Sequence, residues 1–149
     1  MLCSEIMTTV VECATQRETI ESVATRMRDA NVSFLPVCDD EGRVIGTITE
    51  RDIVVKLVAN DMAARTPAGA VMTSTIVACR PDEGVERAEH LMRRARAPRV
   101  LCLDERGHVA GIVSFTQLAK VEDDVRVAQT FRAIAIWRSE ERRVGKECR

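Results

Sequence analysis

The chain has 149 residues, 46% apolar and 3% aromatic, with a formal net charge of −1. That is enough aliphatic material for a real core, and the near balance of charge lacks the basic excess of a dedicated nucleic-acid binder. No apolar run approaches the roughly 18 residues that span a membrane, and the opening MLCSEIMTTV lacks the basic start and long apolar stretch of a signal peptide.

In chain order, residues 10–13 read as a short strand. Residues 20–30 then place Ile20, Val23, Ala24, Met27 and Ala30 on one helical face. The apolar run FLPVC (34–38), the turn cluster DDEG (39–42) and the run RVIGTIT (43–49) read as a β-hairpin. A short helix, RDIVVKLVA, follows, and NDMAARTPAGA over 60–70 carries Pro67 and Gly69 and reads as a linker. The order then recurs: a strand in 75–79, a helix over 85–95 with Val85, Ala88, Met92 and Ala95 on one face, a hairpin VLCL, DERG and HVAGIVS, and the helical TQLAKV. Residues 121–137 predict a further amphipathic helix, with Val125, Ala128, Phe131 or Arg132, and Ala135 at near-helical spacing. Residues 138–149, RSEERRVGKECR, have no apolar pattern and resemble a reading frame through sequencing-adapter DNA. They are expected to be a sequence artefact or a disordered tail.

The recurrence is a gapless repeat at a shift of 65 residues. Met7-Thr8 meets Met72-Thr73, Met27-Arg28 meets Met92-Arg93, Asp39 meets Asp104, Gly42 meets Gly107, and Gly46 meets Gly111. The matches fall at turns and at periodic apolar positions, where a shared fold constrains sequence. Two units of this length suggest a pseudo-symmetric pair and not a solenoid.

With the unit-opening IMT and VMT, helices ending in Met-Arg, the hairpin FLPVCDDEGRVIG, the segment GTITERD and RVLCLDERGHVAGIVS, the chain resembles a tandem CBS-domain pair, or Bateman module, of the free-standing kind. The resemblance implies an α/β (α+β) fold: two units, each strand-helix-strand-strand-helix, packed as a pseudo-two-fold pair. Unit 1 is expected over 6–60, a linker over 61–70, unit 2 over 71–120 and a C-terminal helix over 121–137. It also implies a homodimer that senses an adenosine-type nucleotide (AMP, ADP, ATP or S-adenosylmethionine) in a cleft between units, and an unidentified regulated protein. The alternative is a ligand-free interaction or dimerisation module.

The family pattern of Gly, Thr or Ser, and Asp maps to Gly46, Thr49 and Asp52, with Thr49 and Asp52 on the ribose. A carboxylate suits two adjacent hydroxyls, because charge-assisted hydrogen bonds are the stronger ones. The same residues also have capping-box spacing, which by itself explains a Thr before a helix and an acid in its first turn. In the second unit Ser114 and Gln117 keep the cap but lose the charge, so that site is expected to be degenerate. Adenine maps to Val11, Cys13, Leu35 and Pro36, all of which also read as plain core, and a phosphate contact maps to Arg99.

None of the six cysteines forms a C-x-x-C pair and only two histidines occur, so metal-site spacing is absent. Cys38 and Cys102 lie in apolar runs, where a free thiol behaves as a small hydrophobe, in keeping with a cytoplasmic protein. His90 and His108 stand outside any nucleophile–base pattern, and neither a P-loop nor a dinucleotide-binding glycine pattern is present. A binding module and not an enzyme is expected.

Overall fold

The computed structural model describes the backbone of residues 1–147 and the side chains of residues 1–135. The elements in order are α1 (Cys3–Ile6), β1 (Ala14–Thr15), α2 (Ile20–Ala30), β2 (Phe34–Cys38), β3 (Val44–Thr49), α3 (Glu50–Asp52) continued by a π-helical stretch Ile53–Val58, α4 (Ala68–Val71), β4 (Ala78–Cys79), α5 (Val85–Ala95), β5 (Arg99–Leu103), β6 (Val109–Ser114), α6 (Phe115–Leu118) and α7 (Asp124–Glu147). Two three-stranded sheets form, ordered β1-β2-β3 and β4-β5-β6. β1 runs parallel to β2 with Ala14 opposite Val37, and β2 runs antiparallel to β3 with Phe34 opposite Thr49.

The chain divides into two compact units whose membership differs from that of the sequence repeats. An early unit holds Val10–Ile76 with Glu105–Val109, and a late unit holds Met1–Thr9, Val77–Asp104 and the chain from Ala110. Each unit thus takes in the opening segment of the other repeat.

In the early unit, Ile20, Val23 and Met27 of α2 pack on Leu35, Val37 and Ile48 of the sheet, closed by Leu57, Ala68 and Val71. The Thr19 side chain caps α2 by accepting from the Ser22 amide at 3.2 Å, and Asn31 ends it in the left-handed region at φ 53. The β2–β3 turn needs its glycine, because Gly42 sits at φ 81, where a Cβ is strained. Asp39 secures that turn by accepting from the amides of Glu41 and Arg43, each at 2.9 Å. In the late unit, Val85, Ala88 and Met92 of α5 pack on Val100, Cys102 and Val113, joined by Cys3, Cys79 and Leu118.

Three local expectations change. The first strand is Ala14–Thr15 and not 10–13: residues 10–13 enter no ladder, and the carbonyl of Cys13 is taken instead by the Arg26 guanidinium at 2.9 Å. The stretch read as a linker closes in the short helix α4, and α1 is its counterpart in the opening segment. The C-terminal helix forms and runs to Glu147, but it turns a different face inward. Val125 and Phe131 are 66% and 58% exposed, whereas Thr130 is fully buried.

The cause is Glu89 of α5, which is fully buried. It accepts from Thr130 Oγ1 at 2.9 Å and from Arg126, with Arg93 at 3.9 Å. A buried carboxylate must be paired and hydrogen-bonded, and that demand outweighs the burial of two apolar side chains at the edge of the unit. The expectation for residues 138–149 rests on side chains outside the described residues.

Replacing Arg126 with Met leaves Glu89 with Thr130 and a distant Arg93. Urea denaturation is expected to show a lower midpoint, because the buried carboxylate loses its nearest cation, and limited proteolysis is expected to cut within α7 first.

Candidate functional site

The site begins with a close approach. A Cβ on Gly46 would lie 2.7 Å from Met72 Sδ and 2.7 Å from the carbonyl oxygen of Thr73. Only glycine lets the 72–73 segment lie against β3, where Thr47 and Thr73 exchange backbone hydrogen bonds at 2.9 and 2.8 Å. This brings the Thr73 hydroxyl to the end of β3, where the chain turns into α3.

At that corner a reciprocal cap forms. Thr49 Oγ1 accepts from the Asp52 amide at 3.1 Å, and Asp52 Oδ2 accepts from the Thr49 amide at 3.0 Å and from Thr49 Oγ1 at 3.1 Å. The other carboxylate oxygen, Oδ1, accepts from Thr73 Oγ1 at 3.1 Å and pairs with Lys56 Nζ at 3.0 Å. Lys56 Nζ also donates to Thr73 Oγ1 at 3.0 Å. The Asp52 side chain is 12% exposed and that of Lys56 41%, so the carboxylate lies just beneath the surface with a cation above it.

The late unit repeats the corner with different chemistry. Gly111 stands against Met7 and Thr8 as Gly46 does against Met72 and Thr73, and Thr8 bridges Ile112. Gln117 Oε1 accepts from the Ser114 amide at 2.7 Å and from Ser114 Oγ at 3.0 Å, while its Nε2 donates to Thr8 Oγ1 at 2.6 Å. The cap is complete and the negative charge is absent. Val121, the repeat counterpart of Lys56, brings no cation.

Both capping boxes form, and the structure brings Thr49 and Asp52 together. Lys56 and Thr73 were missed: Thr73 lies 21 residues from Asp52 in sequence, and only its match to Thr8 hinted at a shared role. Of the adenine set, Leu35 is in the core and Pro36 is buried, while Val11 and Cys13 are half-buried. Ala14 faces Val37, so Cys13 and Pro36, each one residue earlier, sit at the same end of the β1–β2 pair. The Cys13 thiol neighbours that of Cys38; burial and this neighbour push Cys38 up to about 12. Arg99 opens β5 in the late unit, half-buried, and burial holds its guanidinium below its usual value.

Comparison with known proteins decides the family. The CBS domain family model matches the chain twice, over residues 3–59 and 68–124. The chain belongs to the CBS-domain family. Among CBS relatives, the CBS domain-containing protein YhcV of Bacillus subtilis is 31% identical over 115 residues, 77% of this chain and 81% of YhcV. Hypoxic response protein 1 of Mycobacterium tuberculosis is 28% identical over 131 residues, 87% of this chain and 91% of that protein. The crystal structure of Hypoxic Response Protein I with two coordinated zinc ions superposes with TM-score 0.74 at 27% identity, covering 83% of this chain and 100% of that one. The CBS domain pair of MJ0100, in complex with 5-methylthioadenosine and S-adenosyl-L-methionine, superposes with TM-score 0.71 at 24% identity, covering 81% of this chain and 94% of that one. No helix among the described residues is long and apolar enough to cross a membrane.

Because the Gly46 contact is to backbone as well as to a side chain, Gly46→Ala in this CBS chain forces the 72–73 segment away. Chemical denaturation is expected to report about 1–3 kcal/mol of destabilisation, the range for overpacking, and mutation to Ala at the open turn position Asp40 is expected to cost far less.

Proposed function

We propose that the chain is a regulatory module that binds an adenosine derivative at the β3–α3 corner of the early unit, with Asp52 and Thr49 on the ribose and the segment around Val11, Cys13, Leu35 and Pro36 against the base. The observation that carries this reading is the division of labour at Asp52. Oδ2 is committed to the helix start, while Oδ1 is held by two side-chain donors, Thr73 and Lys56. Adjacent ribose hydroxyls are donors of the same kind and can take their place without leaving the carboxylate unsatisfied. The ion pair with half-exposed Lys56 is worth little in solvent, so little is lost in the exchange. The MJ0100 pair, of the same fold, is recorded with two adenosine derivatives, which supports the ligand class.

In this reading Ser114 and Gln117 form the degenerate counterpart, because Gln117 satisfies its cap and Thr8 with no charge to offer. Leu35 has its side chain in the core, where it would support the base site from beneath. Arg99 would serve a phosphate from the late unit. The work of the chain is recognition and signalling, passed by conformational change or by altered packing between copies.

Calorimetric titration with AMP, ATP and S-adenosylmethionine tests the assignment. Asp52→Gln copies the late unit's own solution, so stability without ligand is expected to fall by no more than about 1 kcal/mol, the scale of a cap. Affinity is expected to fall by about 1.5–3 kcal/mol, roughly tenfold to a hundredfold. Equal binding by wild type and variant would reduce Asp52 to a cap. Binding of no adenosine derivative by wild type would favour the ligand-free interaction module.

We also propose a homodimer, and an apolar surface of the early unit supports it. Val54 and Val58 are 58% and 63% exposed on the π-helical stretch. Beside them lies an open groove of about 420 Å3, lined by Ile20, Ala24, Ile53, Leu57 and Ala64 and edged by Glu21 and Arg28. A surface that joins apolar side chains to a rim of both charges suits a self-complementary contact. Light scattering at micromolar concentration is expected to give a dimer for wild type and a monomer for Val54→Asp with Val58→Asp. A monomeric wild type refutes the assembly.

A further inference from the structure

The late unit's core holds a side-chain set that the nucleotide site does not use. Cys79 Sγ lies 3.8 Å from Cys3 Sγ and 3.7 Å from Cys102 Sγ, and all three sulfurs fall within 4.8 Å of one another. They come from α1, β4 and β5, with Cys79 and Cys102 directly paired across the parallel strands. All three are buried.

The internal repeat supplies a control. The counterparts of Cys3, Cys79 and Cys102 at the 65-residue shift are Ala68, Ala14 and Val37. Ala14 and Val37 pair across parallel strands in the matching register, and all three are fully buried in the early core. This fold therefore packs the same spot without sulfur, and three thiols converge in only one of two otherwise equivalent cores.

We infer that Cys3, Cys79 and Cys102 form a binding site for a single Cu(I) ion, held by three sulfurs in the dry core of the late unit. A metal about 2.3 Å from each of three thiolate sulfurs needs those sulfurs about 3.8–4.0 Å apart, and two edges of the triangle already have nearly that length. Thiolates select soft ions. Zinc asks for a fourth ligand or a bound water, whereas this group contains no histidine or carboxylate and is enclosed by Ala88, Val100 and Val113. Three sulfurs satisfy Cu(I).

The Cys3 and Cys79 thiols are protonated at neutral pH. Burial pushes Cys3 up to about 12, and the hydrogen bond with Cys102, added to burial, pushes Cys79 higher. Each sulfur that ligates therefore releases its proton to solvent, copper enters and stays as Cu(I), and no electron is transferred. Entry runs through α1, a four-residue helix tied by the Cys3 and Ser4 amides to the Glu83 and Pro81 carbonyls at 2.8 and 2.9 Å. So short a segment opens at low cost, and a bound ion would clamp it shut.

The test uses the reduced full-length chain without oxygen, with Cys148→Ser in every sample to remove a further thiol. Cu(I) is supplied as its acetonitrile complex in competition with a bicinchoninate chelator. One Cu(I) per chain is expected, with a thiolate-to-copper charge-transfer band in the ultraviolet and slowed amide exchange in Cys3–Ile6. The C3A/C79A/C102V variant installs the early unit's own residues and is expected to lose the band. Its affinity should fall beyond the roughly 100-fold that removal of an outer partner costs. The C13A/C38L variant installs Ala78 and Leu103, the late unit's counterparts at the other thiol pair, and is expected to bind as wild type does. Far-ultraviolet dichroism checks that each variant folds, and Cys79→Ala alone decides the matter if the triple variant does not. No uptake by wild type, undiminished binding without the three cysteines, or loss in C13A/C38L instead each overturns the assignment. A tetrahedral Co(II)–thiolate spectrum at the same cysteines overturns its three-coordinate form.

Discussion

The structure depends on two glycines that let backbone meet backbone. At Gly46 and again at Gly111 a side chain would collide with the opening segment of the other repeat. With no Cβ in the way, that segment bridges the strand, Thr47 to Thr73 in one unit and Thr8 to Ile112 in the other. The same contact fills the core below it with α4 or α1, and presents a threonine hydroxyl to the start of the following helix. Packing and polar chemistry at the corner therefore follow from one steric condition. Gly46, which the sequence pattern groups with Thr49 and Asp52, is needed here for the fold, whether or not a ligand is bound.

Above that condition the two corners diverge by the smallest of steps. Asp52 and Gln117 fill the same capping role, and each hydrogen-bonds the threonine brought by the neighbouring segment. Gln does so with an amide donor and no counter-ion. Asp needs donors for every lone pair and draws in Lys56. An uncompensated carboxylate below the surface would be costly, so the lysine is the natural companion of the acid, and its replacement by Val121 in the late unit is consistent with the absence of charge there. The two repeats present similar corners, and the early one alone places a charge at the capping position.

Much of this was legible in sequence because it is local. Helices α2 and α5 fall at 20–30 and 85–95 as their apolar spacing predicts, and the hairpins follow from apolar runs around Asp-containing, Gly-ended turns. What escaped is set by distant contacts. β1 and β4 are each only two residues long, too short for an alternation to show. α1 and α4 are single turns with too few residues for a period to show. α7 turns Thr130 inward because of Glu89, which lies 41 residues away. Thr73 at the candidate ribose site and the three-cysteine cluster arise the same way: no spacing rule along the chain can find groups that meet only after the repeats exchange their opening segments.

That exchange also imposes an order on synthesis. Chains emerge from the ribosome N-terminus first, and domains tend to fold as their residues appear. All of the early unit except the Glu105–Val109 turn is available once Ile76 has emerged. Met1–Thr9, made before the early unit, belong to a core whose other members begin only at Val77. These nine residues precede the early unit in synthesis yet wait for the late unit to be buried, and Cys3 travels with them, exposed until its partners Cys79 and Cys102 arrive.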